Sequence, residues 1–360
     1  MTDKLTTLLH DRADTVAFDS PDLDTVTRAG DRRVRRRRTL VTAGGAAAAV
    51  VLAVGVALYP GADSVVDRDA ATGPSSEPAP LSWVTGSTLH VGPDRTVDLG
   101  REVATYVRTG EGYVFADRAG RLWSWEDGES FGIGLTTKGE DATRLVADPD
   151  TSTMAFVDGG VGPAQVVVFD QVRGGFDVLP TEGPATLYGL DAGTVYWRDA
   201  RGIVAADVSA ATVEVLADGP RAADLSDVET RTFATPTAGG TVVGDAPGEG
   251  VRLEEAYGST GVLSPDGRYY SSEGDEQSVF DARTGQRVQL DLTQEFATGY
   301  EWLDGSTLAV LAAERPSTQA TAQLLRCTVP AGDCEVVAAD LGTIGDLQGT
   351  LALPTGDPVG

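Results

Sequence analysis

Seven short apolar runs recur along most of the chain at a nearly constant interval, and this repetition limits the fold more than any other feature. They begin near Ser87 (STLHV), Arg121 (RLWSW), Gln165 (QVVVF), Gly202 (GIVAADV), Thr241 (TVVGD), Gln277 (QSVFDA) and Gln323 (QLLRCTV). Successive starts lie 34, 44, 37, 39, 36 and 46 residues apart, about 39 on average. Periods of roughly 20–50 residues mark arrays of supersecondary units that cannot bury their apolar faces alone, and about 40 residues suit one four-stranded blade. The runs read as the third strands of seven blades. The expected fold class is therefore all-β, a seven-bladed β-propeller.

The turns repeat as well. Val168-Phe169-Asp170-Gln171-Val172-Arg173-Gly174 and Val279-Phe280-Asp281-Ala282-Arg283-Thr284-Gly285 agree at four of seven positions, 111 residues apart, or three periods of 37. Their shared Asp and Gly suit the turn from a third to a fourth strand, since Asp bonds nearby backbone and Gly accepts positive φ. Between first and second strands the clearest turn is Ser264, Pro265, Asp266 and Gly267. Here Pro sets φ at the first corner, Asp fits the second, and Gly relieves the exit. Looser copies are Asp148-Pro149-Asp150, Leu190-Asp191-Ala192-Gly193 and Leu303-Asp304-Gly305-Ser306, each before an apolar strand.

Ser264-Pro265-Asp266-Gly267-Arg268 before one strand, with Phe280-Asp281-Ala282-Arg283-Thr284-Gly285 closing the next, resembles the TolB-like and WD-repeat propellers of bacteria. The resemblance covers residues 81–357 and implies a fold, not an activity. The Gly-His…Trp-Asp pair of true WD repeats is absent. Residues 81–100 hold fewer strands than the other units, and residues 347–353 are expected to supply the missing one. Joining the two ends in one blade removes the open sheet edge.

Residues 39–59 carry no charged side chain over 21 positions. At 1.5 Å per residue a helix of that length spans roughly 31 Å, close to the hydrocarbon thickness of a bilayer. Arg32, Arg33, Arg35, Arg36, Arg37 and Arg38 precede it, and Pro60-Gly61 ends it. Positive residues stay on the cytoplasmic side, so a single-pass protein of the cell membrane is expected, with residues 1–38 inside and the propeller outside. The competing readings are a cleaved export signal and a buried core helix. A long basic region without a following A-x-A site tells against the first, and length plus the arginine cluster against the second. Residues 60–80 lack aromatics and read as a flexible linker. Twenty-six arginines against Lys4 and Lys138 alone suggest a GC-rich, actinobacterial coding bias.

Charge is segregated along the chain. Residues 1–38 hold nine basic and seven acidic residues, which leaves 19 of the 28 basic and 47 of the 54 acidic residues beyond the apolar segment. So acidic an exterior repels phosphate backbones, which excludes nucleic acid as a partner of the large domain. In the tail Leu5, Leu8, Leu9 and Val16 share one helical face, and Ser20-Pro21-Asp22 is a helix start. A short helical cytoplasmic tail follows, either docking a cytosolic regulator or lying on the inner leaflet.

No catalytic motif survives inspection. Gly128-Glu129-Ser130-Phe131-Gly132 fits G-x-S-x-G, but strands flank it on both sides where that motif needs a strand-to-helix turn, so a hairpin is expected. Asp148-x-Asp150-x-Ser152 opens like a calcium loop without its glycine or closing glutamate and reads as a turn. Glu273-Gly-Asp275-Glu276 reads as a solvated loop, and His90, on a strand, as structural. The five tryptophans Trp83, Trp123, Trp125, Trp197 and Trp302 read as blade packing before ligand platform. Neither a Walker A loop nor H-E-x-x-H occurs, and no cofactor or metal is expected. Cys327 and Cys334 flank a hairpin turn; a disulfide outside the membrane is the leading reading, ahead of free thiols or metal binding. So short a loop stabilises by roughly 2–3 kcal/mol in the chain-entropy model.

The expected function is non-enzymatic: a membrane-anchored binding or sensing module for a protein or glycan, signalling through its tail. The architecture is similar to actinobacterial membrane propellers that accompany extracytoplasmic-function sigma factors, and the resemblance implies such a link here. The alternative is an extracellular hydrolase or lyase using carboxylates at the propeller channel. It requires Asp, Glu and Arg to gather there.

Overall fold

The computed structural model describes residues 78–359 except 127, 137–143, 160–163, 220–223, 255–260 and 273–276. The tail with His10, the arginine cluster, the apolar run 39–59, nearly all of the linker and the 273–276 loop lie outside the described residues. Among the described residues no helix is long and apolar enough to cross a membrane.

Among the described residues seven four-stranded antiparallel sheets form the propeller, and the innermost strands of successive blades touch from the first blade to the seventh. The seven apolar runs are indeed the third strands, at Thr88–Val91, Arg121–Glu126, Gln165–Asp170, Gly202–Asp207, Gly240–Ala246, Ser278–Asp281 and Ala322–Thr328. Burial follows radial position. Gly202–Asp207 is buried almost throughout, whereas the outer strand beside it, Thr212–Asp218, is largely exposed. Facing blades interlock through opposite faces: Val166, Val168 and Leu179 of the third blade meet Leu187, Trp197, Val204 and Ala206 of the fourth. Each such side chain contributes about 1.5–3 kcal/mol on burial, so blade stacking carries the ring.

Ring closure joins the two ends of the propeller. Leu351–Ala352 pairs with Thr85 and Val84, giving the first blade its inner strand. The strand is shorter than the 347–353 span expected, because Ile344–Leu347 forms a helical turn, with the Thr343 hydroxyl accepting from the Asp346 amide.

Local chemistry matches the turn readings. Ser264 Oγ accepts from the Arg268 and Tyr269 amides at 3.1 and 2.9 Å and donates to Asp266 at 2.6 Å. Gly267 has φ +66°, and a Cβ there would lie 2.6 Å from Thr232 Oγ1, so glycine is required. Asp170 accepts from the Val172 and Arg173 amides, and Asp281 from those of Arg283 and Thr284, in the two matching turns. Cys327 and Cys334 face each other across paired strands of the seventh blade and are joined as a disulfide.

The remaining motifs sit within the blades and their turns. Ser130 lies opposite Trp125 in a hairpin. The Asp150 amide bonds Asp148 Oδ1 within a turn. His90 stacks on Trp83 at 4.7 Å and bonds Thr85 Oγ1. Trp83, Trp125, Trp197 and Trp302 are buried in the blades, while Arg101 covers the Trp123 ring.

Candidate functional site

The innermost strands line an open cavity of about 120 Å³ in the central channel. A channel wall of alternating strands sends every second side chain inward. Arg108 comes from the second blade, Asp227 and Glu229 from the fifth, and Glu301 from the seventh. Arg144 borders the cavity just ahead of the third blade's first strand.

Among the described residues three inner strands that border the cavity carry bulges, one between Val103 and Thr105. Register slips between Leu187 and Gly189 and between Gly299 and Glu301 leave Tyr188 and Tyr300 without a partner opposite. An extra residue in a strand re-aims its neighbours. Tyr300 and Glu301, consecutive in sequence, both border the cavity as a result.

The chain's last residues close part of the wall. Thr355 bridges Val107, the Gly356 amide donates to Tyr106 O at 3.1 Å, and the Val359 amide to Ala104 O at 2.8 Å. Gly356 O accepts from the Leu145 amide at 2.9 Å, which wedges the segment between the second and third blades. At φ +75°, a Cβ on Gly356 would sit 1.9 Å from Leu145 O. Asp357 lies 3.4 Å from Arg144 Nε.

Charge in the channel is only partly compensated. Arg108 Nε donates to Glu301 Oε1 at 3.0 Å, with both side chains mostly covered. Glu301 Oε2 and the Tyr300 hydroxyl are buried without a hydrogen-bond partner. Burial raises the Glu301 pKa against the opposing pull of Arg108. Burial likewise raises Asp227, opposed by Arg144 and by the Leu263 amide, which donates to Asp227 Oδ2 at 2.8 Å. Glu229 is pushed well above the ordinary range, first by burial and then by Asp227, Asp191, Asp148 and Asp150. Burial and Asp148 also raise Asp191.

The sign of the pH dependence follows. A carboxyl whose pKa is higher folded than unfolded adds stability that is fully present below about pH 4 and lost as pH rises through the folded value. Glu229→Gln removes the Glu229 share of that decline and leaves those of Asp191, Asp227 and Glu301. We expect the variant to match the parent near pH 4 and to exceed it by roughly 1–2 kcal/mol at pH 8. Urea midpoints at pH 4, 6 and 8 check this; parallel curves would remove Glu229 as their source.

Of the residues singled out in the sequence, Pro149, Leu190 and Pro265 from the turn motifs and Trp302 border the cavity. Cys327–Cys334 and the other turn residues shape the blades. Arg108, Arg144, Asp227, Glu229, Tyr300 and Glu301 were not singled out. Their one sequence signal is a charged residue interrupting an apolar first strand, as in Val103–Thr109 and Phe296–Trp302. Among the described residues no three His, Cys, Asp or Glu side chains gather as metal ligands.

No family model and no curated protein matches the sequence. Solved structures resemble parts of the chain at low identity. A functionally unknown protein from Desulfotomaculum acetoxidans is 14% identical, over 78% of this chain and 100% of that one, with a TM-score of 0.41. A chain of a mitotic checkpoint complex is 13% identical over 82% and 90%, with a TM-score of 0.47. BamB from Moraxella catarrhalis is 17% identical over 64% and 73%, with a TM-score of 0.37.

Proposed function

We propose that the chain is a binding or sensing module, anchored in the membrane by residues 39–59, with its propeller outside the cell and its tail inside. The observation that carries the reading is the closed seven-bladed ring around a shaped, charged channel. Such a ring holds its channel walls rigid, the condition under which a scaffold binds without reordering. The Cys327–Cys334 disulfide supports an oxidising, extracytoplasmic setting for the blades. The arginines before residue 39 support the orientation. A protein or glycan of the envelope is the external partner, and a cytosolic regulator the internal one.

The test compares the intact chain with one lacking residues 2–30, each captured from native membranes. That deletion spares the arginine cluster. A cytosolic regulator retained only by the intact chain supports signalling through the tail; identical partners on both variants reduce the tail to an extension of the anchor.

The channel also favours a second reading. Arg108, Arg144, Asp227, Glu229 and Glu301 gather there, as an extracellular hydrolase or lyase requires. Glu229, holding its proton, is then the general acid. Turnover of an envelope polymer, lost in Asp227→Asn and in Glu229→Gln, would establish it.

A further inference from the structure

We infer that a cleft between the sixth and seventh blades binds a neutral sugar unit, held by the carboxamides of Gln277, Gln289 and Gln294. The inference rests on the reading of the propeller as a binding module and specifies one ligand class and its place.

The cleft follows from a strand cut short. The fourth strand of the sixth blade, Arg287–Val288, has two residues, whereas Thr212–Asp218 in the fourth blade has seven. Past Val288 the chain leaves the sheet and crosses to the seventh blade. There the Asp291 amide donates to Gly332 O at 2.8 Å and the Glu295 amide to Glu314 O at 3.2 Å. A cavity of about 380 Å³ opens between this segment and Gln277, which precedes the third strand, Ser278–Asp281. That volume lies within the roughly 300–1,000 Å³ of small-molecule sites, and the channel cavity of about 120 Å³ lies below it.

The walls are preorganised for hydroxyl groups. Gln277, 9% exposed, donates from Nε2 to Ser271 Oγ at 2.9 Å and accepts from the Gly299 amide. Gly299 makes room for it, since a Cβ there would run into Ser271 Oγ and stand 3.1 Å from Gln277 Nε2. Gln289 donates to Leu290 O at 3.3 Å. Gln294 accepts from the Thr293 amide at 3.1 Å and donates to Gln323 Oε1 at 3.4 Å. A carboxamide has two donors and two acceptor lone pairs. Of these four, Gln277 uses two, Gln289 one and Gln294 three, so each keeps capacity for a ligand. Sugar hydroxyls donate and accept at once; a carboxamide answers both, a carboxylate or a guanidinium only one.

Charge and shape narrow the class. Among the described residues Arg287 and Glu295 are the charged groups that border the cleft, and they cancel, in a segment with 47 acidic and 19 basic residues. Neither an anion nor a cation is favoured there. Val288, Leu290, Leu292 and Ala297 supply apolar surface for the C–H face of a sugar ring. A peptide strand fits less well. Val279 and Phe280 of the third strand already pair with Val288 and Arg287, which leaves too little edge to extend a ladder. No aromatic ring borders the cleft among the described residues, so binding is hydrogen-bonded and of millimolar strength.

The experiment is saturation-transfer NMR of the full chain in lipid nanodiscs. The probes are glucose, galactose, mannose and N-acetylglucosamine, with glucuronate and glucosamine as charged counterparts. The expected result is saturation of at least one neutral sugar in preference to the charged ones. Affinity should fall roughly three- to tenfold in Gln289→Leu and in Gln294→Leu, which keep the bulk and remove the amide. Gln289 is exposed, so its substitution tests the cleft with the fold intact. Methyl glycosides settle the source: equal affinity identifies a unit within a glycan, lost affinity a free sugar. A folded chain that saturates none of the neutral sugars, that prefers glucuronate or glucosamine, or whose sugar affinity both substitutions leave unchanged, overturns the inference. Partner capture from native membranes separates the two levels. If partners are retained without sugar binding, only this inference falls; if both are lost, the binding-module reading falls with it.

Discussion

A chain ending at Thr350 is expected to lose most of its folding stability, although only ten residues are missing. Those residues give the first blade its inner strand through the Val84–Ala352 and Thr85–Leu351 pairs. They also hold the second and third blades together through Gly356 and Val359, and bring Asp357 to Arg144. Three backbone bonds beyond the ladder, at about 0.5–1.5 kcal/mol each, join the loss of the ladder itself and of the buried Ala352. The total, on the order of 4–6 kcal/mol, is a large share of the roughly 5–15 kcal/mol that keeps a domain folded. The melting temperature should fall by at least about 10 °C. Ser82–Thr85 would become an open edge, so the truncated chain should associate on size-exclusion chromatography as that edge pairs with other copies. Gly356→Ala should reproduce part of the effect, about 2 kcal/mol, by forcing the tail away from Leu145. A truncated chain melting within 2–3 °C of the parent, on the order of 1 kcal/mol, would show that the ring does not depend on its last strand.

The blades were legible in the sequence because they are local. A third strand such as Gln165–Asp170 is buried on both sides and reads as a continuous apolar run, and its turn is written in Asp170 and Gly174. The Ser264–Gly267 turn is likewise set by bonds spanning at most five residues. Closure was legible in outline because a deficit at one end matched a surplus at the other. Its length was not, since the Thr343 cap that starts the helical turn at Ile344 competes with the strand. The channel was hidden for a different reason. Arg108 and Glu301 are 193 residues apart and meet only when the ring closes. The bulges at Tyr188 and Tyr300 arise from register against a neighbouring strand, and nothing local at either position announces them. With 47 acids beyond residue 59, no pattern separated Asp227, Glu229 and Glu301 from the rest.

Arg108→Met should destabilise the fold by about 3 kcal/mol at pH 8, the cost of leaving a mostly buried carboxylate without its cation. Arg108 and Glu301 are 14% and 12% exposed, so water compensates neither fully. The loss should shrink toward pH 4. Burial already raises the Glu301 pKa and Arg108 alone opposes it, so removing Arg108 raises it further. The neutral acid is then tolerated, and the added instability appears as the pH climbs and the proton must leave. Replacing both residues, Arg108→Met with Glu301→Leu, removes charge and counter-charge together and should return the midpoint to within about 1 kcal/mol of the parent, or above it. The exposed pair Arg326–Glu335, at 44% and 60%, supplies the contrast. There Arg326→Met should change stability by less than about 0.5 kcal/mol at either pH. Denaturant midpoints of the parent and the three variants at pH 4 and pH 8 decide the matter. Equal losses at the two arginines, or a double variant no better than Arg108→Met alone, would mean that the channel pair is as solvated as the surface one.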